Sequence, residues 1–166
     1  YRMTQDKQKT VVCGKEEFPE SWDKQKIDEA YNFRDTEREP LNQSEREEKT
    51  DREKGNIPYY GANGVVDYID EYLFDEELIL LAEDGGHFKE YHSRPIAYRI
   101  QGKSWVNNHA HVLEIKGHNN NWYGLYSLEH KNLVPYITGS TRAKLTNGNL
   151  NLASTPGPSV GEQDRI

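Results

Sequence analysis

A chain of 166 residues suits one ordinary domain and is short for two. Only 34% of it is hydrophobic, 30% is charged and the mean hydropathy is −1.02, so the core is drawn from a subset of the sequence and much of the rest is solvated. The formal charge of −7 argues against a uniformly basic nucleic-acid binder, and a single cysteine, Cys13, excludes an internal disulfide and a Cys-based zinc site.

The opening YRMTQDKQKT lacks the apolar stretch of a signal peptide, and no run approaches the ~18 apolar residues that span a bilayer, so a cytoplasmic protein is expected. The start at Tyr1 rather than Met suggests a fragment. Residues 1–17 read as a flexible tail. The first compact apolar cluster is FPESW, in which Phe18 and Trp22 are placed to seal a core edge, and one domain is expected from there to about residue 160. Within it, LNQSEREEKTDREKG mixes helix formers with charges of both signs and has no apolar stripe, which fits a solvated helix or a flexible loop.

From Ile57 the pattern turns to short β-type segments: VVDYI, LILLAE, IAYRI and SWVNNHAHVLEI, bounded by Gly, Asn or Asp. GANG and EDGG offer the positive-φ positions that turns require, and the continuous LILLAE predicts a strand buried on both faces. NNNWYGLYSLEHKNLVPYI reads as helical after its asparagines, with Trp122, Leu125, Tyr126, Leu128 and Leu133 available for burial and Pro135 closing it. GSTRAKLTNGNLNLAS returns to turn and strand chemistry, and TPGPSVGEQDRI ends on a first helical turn at 161–166. The fold class is α+β, mainly short twisted strands in a compact sheet-rich domain with a few helices.

Charge is unevenly spread: no Lys or Arg occurs from Ile57 to Asp84, then Lys89, Arg94, Arg99, Lys103, Lys116, Lys131, Arg142 and Lys144 follow, so one basic face is available on an acidic chain. His109 and His111 lie two apart on an expected strand, on one face, where Asp84, His87 or His92 would complete a metal site; hydrogen-bonded structural histidines explain the pair more simply. In AEDGGHF, Glu83 or Asp84 has the chemistry of a base beside glycines, although a capped turn accounts for the same residues. No nucleophile elbow, phosphate-cradling loop or HExxH helix is present, so no catalytic residue, cofactor or resident metal is expected. FKEYHSRP, with Lys89, Tyr91, His92 and Arg94, and GSTRAKLTNGN, with Thr141, Arg142, Lys144 and Asn147, combine cations with hydroxyls and amides, the mixture that contacts DNA.

Taken in order, FPESW, IPYYGANGVVDYIDEYLFDEELILLAEDGG, WVNNHAHVL, GSTRAKLTNGNL and GEQDRI resemble one target recognition domain of a type I restriction-modification specificity subunit, over about Phe18 to Ile166. The resemblance implies a non-catalytic component that binds double-stranded DNA and reads half of a split sequence. It also implies helices that dock methyltransferase (modification) subunits and, through the complex, the translocase/nuclease subunit, with GEQDRI beginning one of them. On the same ground Tyr59, Tyr60, Gly61, Asn63, Gly64, Asn108 and His109 read as framework, and base reading is expected around Lys89 to Arg94 and Arg142 to Asn147. Two stretches depart from the family pattern: DKQKIDEAYNFRD is polar where an apolar strand is usual, and LNLASTPGPSVGEQ has small residues before the helix. A metal-dependent hydrolase or isomerase built on His109 and His111, and a non-functional remnant of a specificity subunit, are the alternatives.

Overall fold

The computed structural model describes residues 10–13, 16–51, 53–117 and 119–166. It opens with the paired strands β1 (Thr10–Cys13) and β2 (Glu16–Pro19), in a register that aligns Thr10 with Pro19. The segment expected to be a flexible tail thus includes a paired strand, while its residues 1–9, 14 and 15 lie outside those described. Next come β3 (Asp23–Lys26), the single turn α1 (Ile27–Ala30), β4 (Tyr31–Phe33) and α2 (Gln43–Glu48). Seven strands follow: β5 (Ile57–Gly61), β6 (Gly64–Ile69), β7 (Phe74–Asp75), β8 (Leu78–Ala82), β9 (Ala97–Ile100), β10 (Lys103–Val106) and β11 (Ala110–Ile115). The chain continues through α3 (Asn121–Glu129), α4 (Asn147–Leu150), β12 (Ser154–Gly157) and α5 (Val160–Gln163), in keeping with the α+β class.

Two four-stranded sheets, ordered β6-β5-β10-β7 and β4-β11-β8-β9, carry the fold. All five residues of β8 are buried, as its unbroken apolar run predicts. Alternation along the strand sends them to two cores. Ile79 and Leu81 pack with Ile27, Tyr31, Leu113 and Leu125, whereas Leu78 and Leu80 pack with Phe74, Ile100, Val106 and Val112. Each such leucine contributes about 1.5–3 kcal/mol of burial.

SWVNNHAHVLEI forms two strands rather than one. The Asn107 Oδ1 accepts from the His109 N–H at 2.8 Å, and this local bond makes a turn that interrupts the ladder. As a result β10 runs parallel to β5 in one sheet, with Trp105 opposite Tyr59, while β11 pairs antiparallel with β8 and β4 in the other. The 107–109 turn is where the chain crosses between sheets.

The polar DKQKIDEAYNFRD stretch nevertheless builds a closed edge. β3 pairs antiparallel with β12, so the two sequence departures bond to each other, and Ile27, Ala30 and Tyr31 supply the core contacts. The Tyr31 hydroxyl donates to the Gly124 carbonyl at 2.7 Å and fastens this edge to α3. Phe18 and Trp22 stack at 5.7 Å, and the Trp22 indole N–H donates to Glu162 at 3.3 Å, tying the N-terminal edge to α5.

α2 is the solvated helix: it buries nothing and is held by a reciprocal cap, in which Asn42 accepts from the Glu45 N–H at 3.0 Å and Glu45 accepts from the Asn42 N–H at 2.7 Å. On α3, Leu125 and Leu128 are buried, but Trp122 and Tyr126, also available for burial, are 50% and 51% exposed and stack on each other at 6.0 Å. Four residues apart, they share one half-exposed face, where the Arg99 guanidinium of β9 lies 4.7 Å from the Trp122 ring centroid. No helix among the described residues is long and apolar enough to cross a membrane.

GANG is the tight hairpin turn between β5 and β6, closed by the Gly61–Gly64 pair. Gly64 has φ +121°, and a Cβ there would meet nothing within 4 Å. Gly64→Ala is therefore expected to cost about 1–3 kcal/mol through backbone strain alone, seen as a lower urea midpoint with an unchanged slope.

Candidate nucleic-acid interface

Four separate stretches meet around one groove of about 440 Å³: the GANG turn, the Asp84–Gly85 turn after β8, the 107–109 turn and Arg142. The sheets bring them together. Ala82 pairs with Ala110, and the Glu83 and Asp84 N–H groups both donate to the His109 carbonyl, at 2.9 and 3.2 Å. Asn63 Nδ2 donates to the Gly85 carbonyl at 3.2 Å, and the Asn107 N–H donates to the Tyr60 carbonyl at 3.0 Å. The loop carrying Arg142 is bonded on both sides to the Asp84 turn: Gly85 N–H to the Ala143 carbonyl at 3.0 Å and Leu145 N–H to the Glu83 carbonyl at 2.7 Å.

The hairpin register shifts between Tyr59, opposite Asp67, and Tyr60, opposite Val65, which leaves Val66 as an extra residue. Such a bulge re-aims side chains. Here Val65 and Val66 are 45% and 60% exposed, and both line the groove with Arg46, Asn107 and His109. The Arg46 guanidinium sits 5.3 Å from the Tyr59 ring centroid and donates to Asp67 at 2.7 Å; that bond holds the Asp67 carboxyl below its ordinary range. Arg142 Nε lies 2.5 Å from Asp84 Oδ1, and His109 Nδ1 lies 3.4 Å from Asp84 Oδ2.

The residues expected to read DNA are distributed unevenly about this groove. Lys89 is exposed on a one-turn 3₁₀ helix (Phe88–Glu90), and it borders a neighbouring cleft with Gly86 and Ala143, so the two expected loops do meet. Lys144 is exposed, and its backbone bridges to Asp84 and Thr138; Thr141 is also exposed. Tyr91, His92 and Arg94 line neither cleft: the Tyr91 carbonyl is 2.5 Å from His130 Nδ1, and Arg94 pairs with Glu90 at 3.1 Å. Asn147 starts α4 and accepts from Asn151 at 3.0 Å.

Of the framework set, Gly61, Asn63, Gly64 and His109 line the same groove as Arg142, and Asn108 is exposed beside it. Tyr59 is buried with its hydroxyl accepting from the Leu41 N–H at 2.9 Å, and Tyr60 packs on Tyr98 at 5.7 Å. Sequence reasoning overlooked Arg46, Val65, Val66 and Asn107. The adjacent valines of GVV, which a strand cannot send to one core face, were the available signal for the first exposed pair; Arg46 carried none.

The downstream cations do not form one unpaired basic face. Arg94, Arg99 and Arg142 are each carboxylate-paired, Lys116 donates to the Asp28 carbonyl, and Lys131 is buried. His109 and His111 are also separated. His109 precedes β11, in the turn, where strand alternation does not apply; it faces the groove, while His111 is wholly buried.

His111 belongs to a different cluster. Its Nδ1 is 2.7 Å from Asp35 Oδ2 and its Nε2 2.7 Å from the Leu145 carbonyl, while Arg38 bonds Glu83 and the Ala110 carbonyl, each at 2.5 Å. Asp35, Glu83 and His111 present possible metal-ligand atoms within 4.8 Å of one another. Those atoms are already engaged by one another and by Arg38, as in a closed ion-pair network. Burial pushes the Asp35 carboxyl up, but the His111 hydrogen bond and charge, the Val112 N–H and Arg38 outweigh it, so it stays below its ordinary value.

The comparison with known families bears directly on this architecture. The family described as type I restriction modification DNA specificity domain matches residues 19–166. The chain belongs to that family. A Haemophilus influenzae protein named as a type I restriction enzyme specificity subunit, S.HindORF215P, is 38% identical over 140 residues, covering 84% of this chain and 34% of that protein. This specificity domain thus spans about a third of the length of that relative.

Solved structures share the fold of the specificity domain. The type I restriction-modification S subunit from M. genitalium superimposes with a TM-score of 0.67 at 15% identity, over 87% of this chain and 36% of that one. The HsdS subunit from Thermoanaerobacter tengcongensis gives 0.57 at 14%, over 94% and 38%. A chain from a structure on complex assembly and conformational transition of the type I R-M system gives 0.60 at 16%, over 90% and 37%.

Proposed function

We propose that this specificity domain reads one half of a split sequence in double-stranded DNA and breaks no bonds itself. The groove joining the GANG, Asp84–Gly85 and 107–109 turns carries this reading, because it sets Arg142, Asn63 and Asn107 beside the exposed Val65 and Val66. Guanidinium and amide groups supply the directional bonds that base edges accept, and apolar surface suits a thymine methyl. Lys89 and Lys144, exposed on the flanking loops, fit phosphate contacts that hold the register. Thr141 and Asn147 extend that flank, while Tyr91, His92 and Arg94 are assigned to its outer margin. Residues 18–160 form the recognition unit, and 161–166 begin a spacer helix, consistent with the Ser159–Glu162 cap at the start of α5. On this reading its partners are methyltransferase and translocase/nuclease subunits and it works in the cytoplasm; the likeness to a chain from a structure on complex assembly of the type I R-M system supports assembly with other subunits.

Duplex affinity measured across a salt series, with selection from a randomised library, tests the reading. Binding is expected to weaken with salt at about 0.9 log units per phosphate contact for each log unit of salt, and to enrich one sequence. A flat salt response, or an unselected library after enrichment, sinks it.

A further inference from the structure

We propose that Arg142 reads a guanine edge rather than a phosphate, and that Asp84 and Gly85 are the positioning residues that aim it; this rests on the duplex-reading assignment above. Arg142 is ion-paired through Nε, 2.5 Å from Asp84 Oδ1, in a side chain 56% exposed. No described residue bonds its terminal Nη1 and Nη2, and these form the fork that matches guanine O6 and N7.

Charge decides between the two kinds of partner. A carboxylate beside the guanidinium cancels most of its long-range pull on a phosphate and sets a second anion against it, whereas directional bonding to a neutral base edge survives. An ordinary exposed pair such as Arg94–Glu90 lies four residues apart on one local segment. Arg142 and Asp84 come from distant loops locked together by the Gly85–Ala143 and Leu145–Glu83 backbone bonds.

Gly85 completes the seat. It has φ +73°, and a Cβ there would come within 3.0 Å of both Arg142 Nε and Nη2, so the guanidinium rests where any other side chain would stand. The neighbouring groups suit base reading as well. Asn107 Oδ1 is held by the His109 N–H, and Asn63 Nδ2 by the Gly85 carbonyl, which orients both amides at the groove.

The test compares wild type, Arg142→Lys and Asp84→Asn by duplex selection and by the slope of log affinity against log salt, with urea midpoints confirming folding. Wild type is expected to enrich guanine at one position. Arg142→Lys keeps the charge but loses the fork, so that preference falls by about 5- to 150-fold at that position alone, with the slope unchanged. Asp84→Asn removes the cancelling charge: guanine preference falls and the slope steepens by about 0.9. Unaltered guanine preference in Arg142→Lys overturns the proposal, as does a wild-type preference without guanine. An Asp84→Asn variant with wild-type preference and slope removes the positioning role. A wild type that selects no sequence at all instead defeats the underlying duplex reading.

Discussion

Asp35→Ala is expected to destabilise the fold by about 3–5 kcal/mol, read as a large fall in the urea midpoint. The substitution removes the acceptor of His111 Nδ1 and of the Val112 N–H, and it takes away one carboxylate near Arg38. His111 is wholly buried, so losing its carboxylate partner leaves a buried polar group without its bond. With a whole-domain stability of about 5–15 kcal/mol, that loss is a large fraction of the total. It also means that loss of folding on changing His111 would reflect this network and would be no sign of a metal.

The pH dependence follows from the same site. Asp35 is held below its ordinary value of 3.8 in the folded chain, so the folded state binds this proton less readily than the unfolded one. Its stabilising contribution is present above that value and is lost as pH falls through the lower folded value. Asp35→Ala should therefore have a flatter acid limb than wild type in stability measured from pH 6 down to about pH 3. Glu37 and Asp67 shift in the same direction beside Arg34 and Arg46, but both are solvent-screened, and both remain in the variant.

Phe88→Ala is expected to cost about 3–5 kcal/mol as well, through lost burial and the cavity left behind. Phe88 is 1% exposed in the larger core, directly beneath the glycine turn: a Cβ on Gly86 would lie 2.9 Å from its ring. The same ring therefore supports the turn that carries Asp84 on one side and Lys89 on the other. Duplex affinity should fall further than the folded fraction alone explains, because the loop loses its floor. Measuring affinity at a temperature where the variant is still folded separates the two effects; affinity equal to wild type there would refute the link.

Local pattern was a good guide wherever one short-range force dominates. The apolar LILLA of LILLAE gave a strand with every residue buried, GANG a hairpin, and the asparagines before Trp122 a helix start, since Asn120 accepts from the Trp122 N–H at 2.8 Å. The pattern misled where a side chain competed with the ladder. Asn107 broke SWVNNHAHVLEI into two strands and so parted His109 from His111. It misled again at Trp122 and Tyr126, whose hydrophobicity says that burial is favourable but not which helix face meets the sheet.

The candidate site divides along the same line. Arg142, Asn63 and His109 are each legible as chemistry, but in the sequence they belong to separate stretches, one a base-reading loop and the others framework. Their shared groove depends on pairings such as Ala82 with Ala110 and bonds such as Gly85 N–H to the Ala143 carbonyl, which join residues far apart in the chain. Likewise, the run of cations after Asp84 suggested a basic face that pairing with acidic residues largely cancels.

By itself the sequence determined the α+β class, the strand that anchors both cores, the main turns and the motifs of the family, because these follow from residue type and short-range periodicity. Only the tertiary structure decided that GANG, Asp84–Gly85, the 107–109 turn and Arg142 form one groove, and that His111 is sealed into an ion-pair network with Asp35. Contacts between distant segments are set by strand register and by which charges find each other, and neither is written in any local stretch of residues.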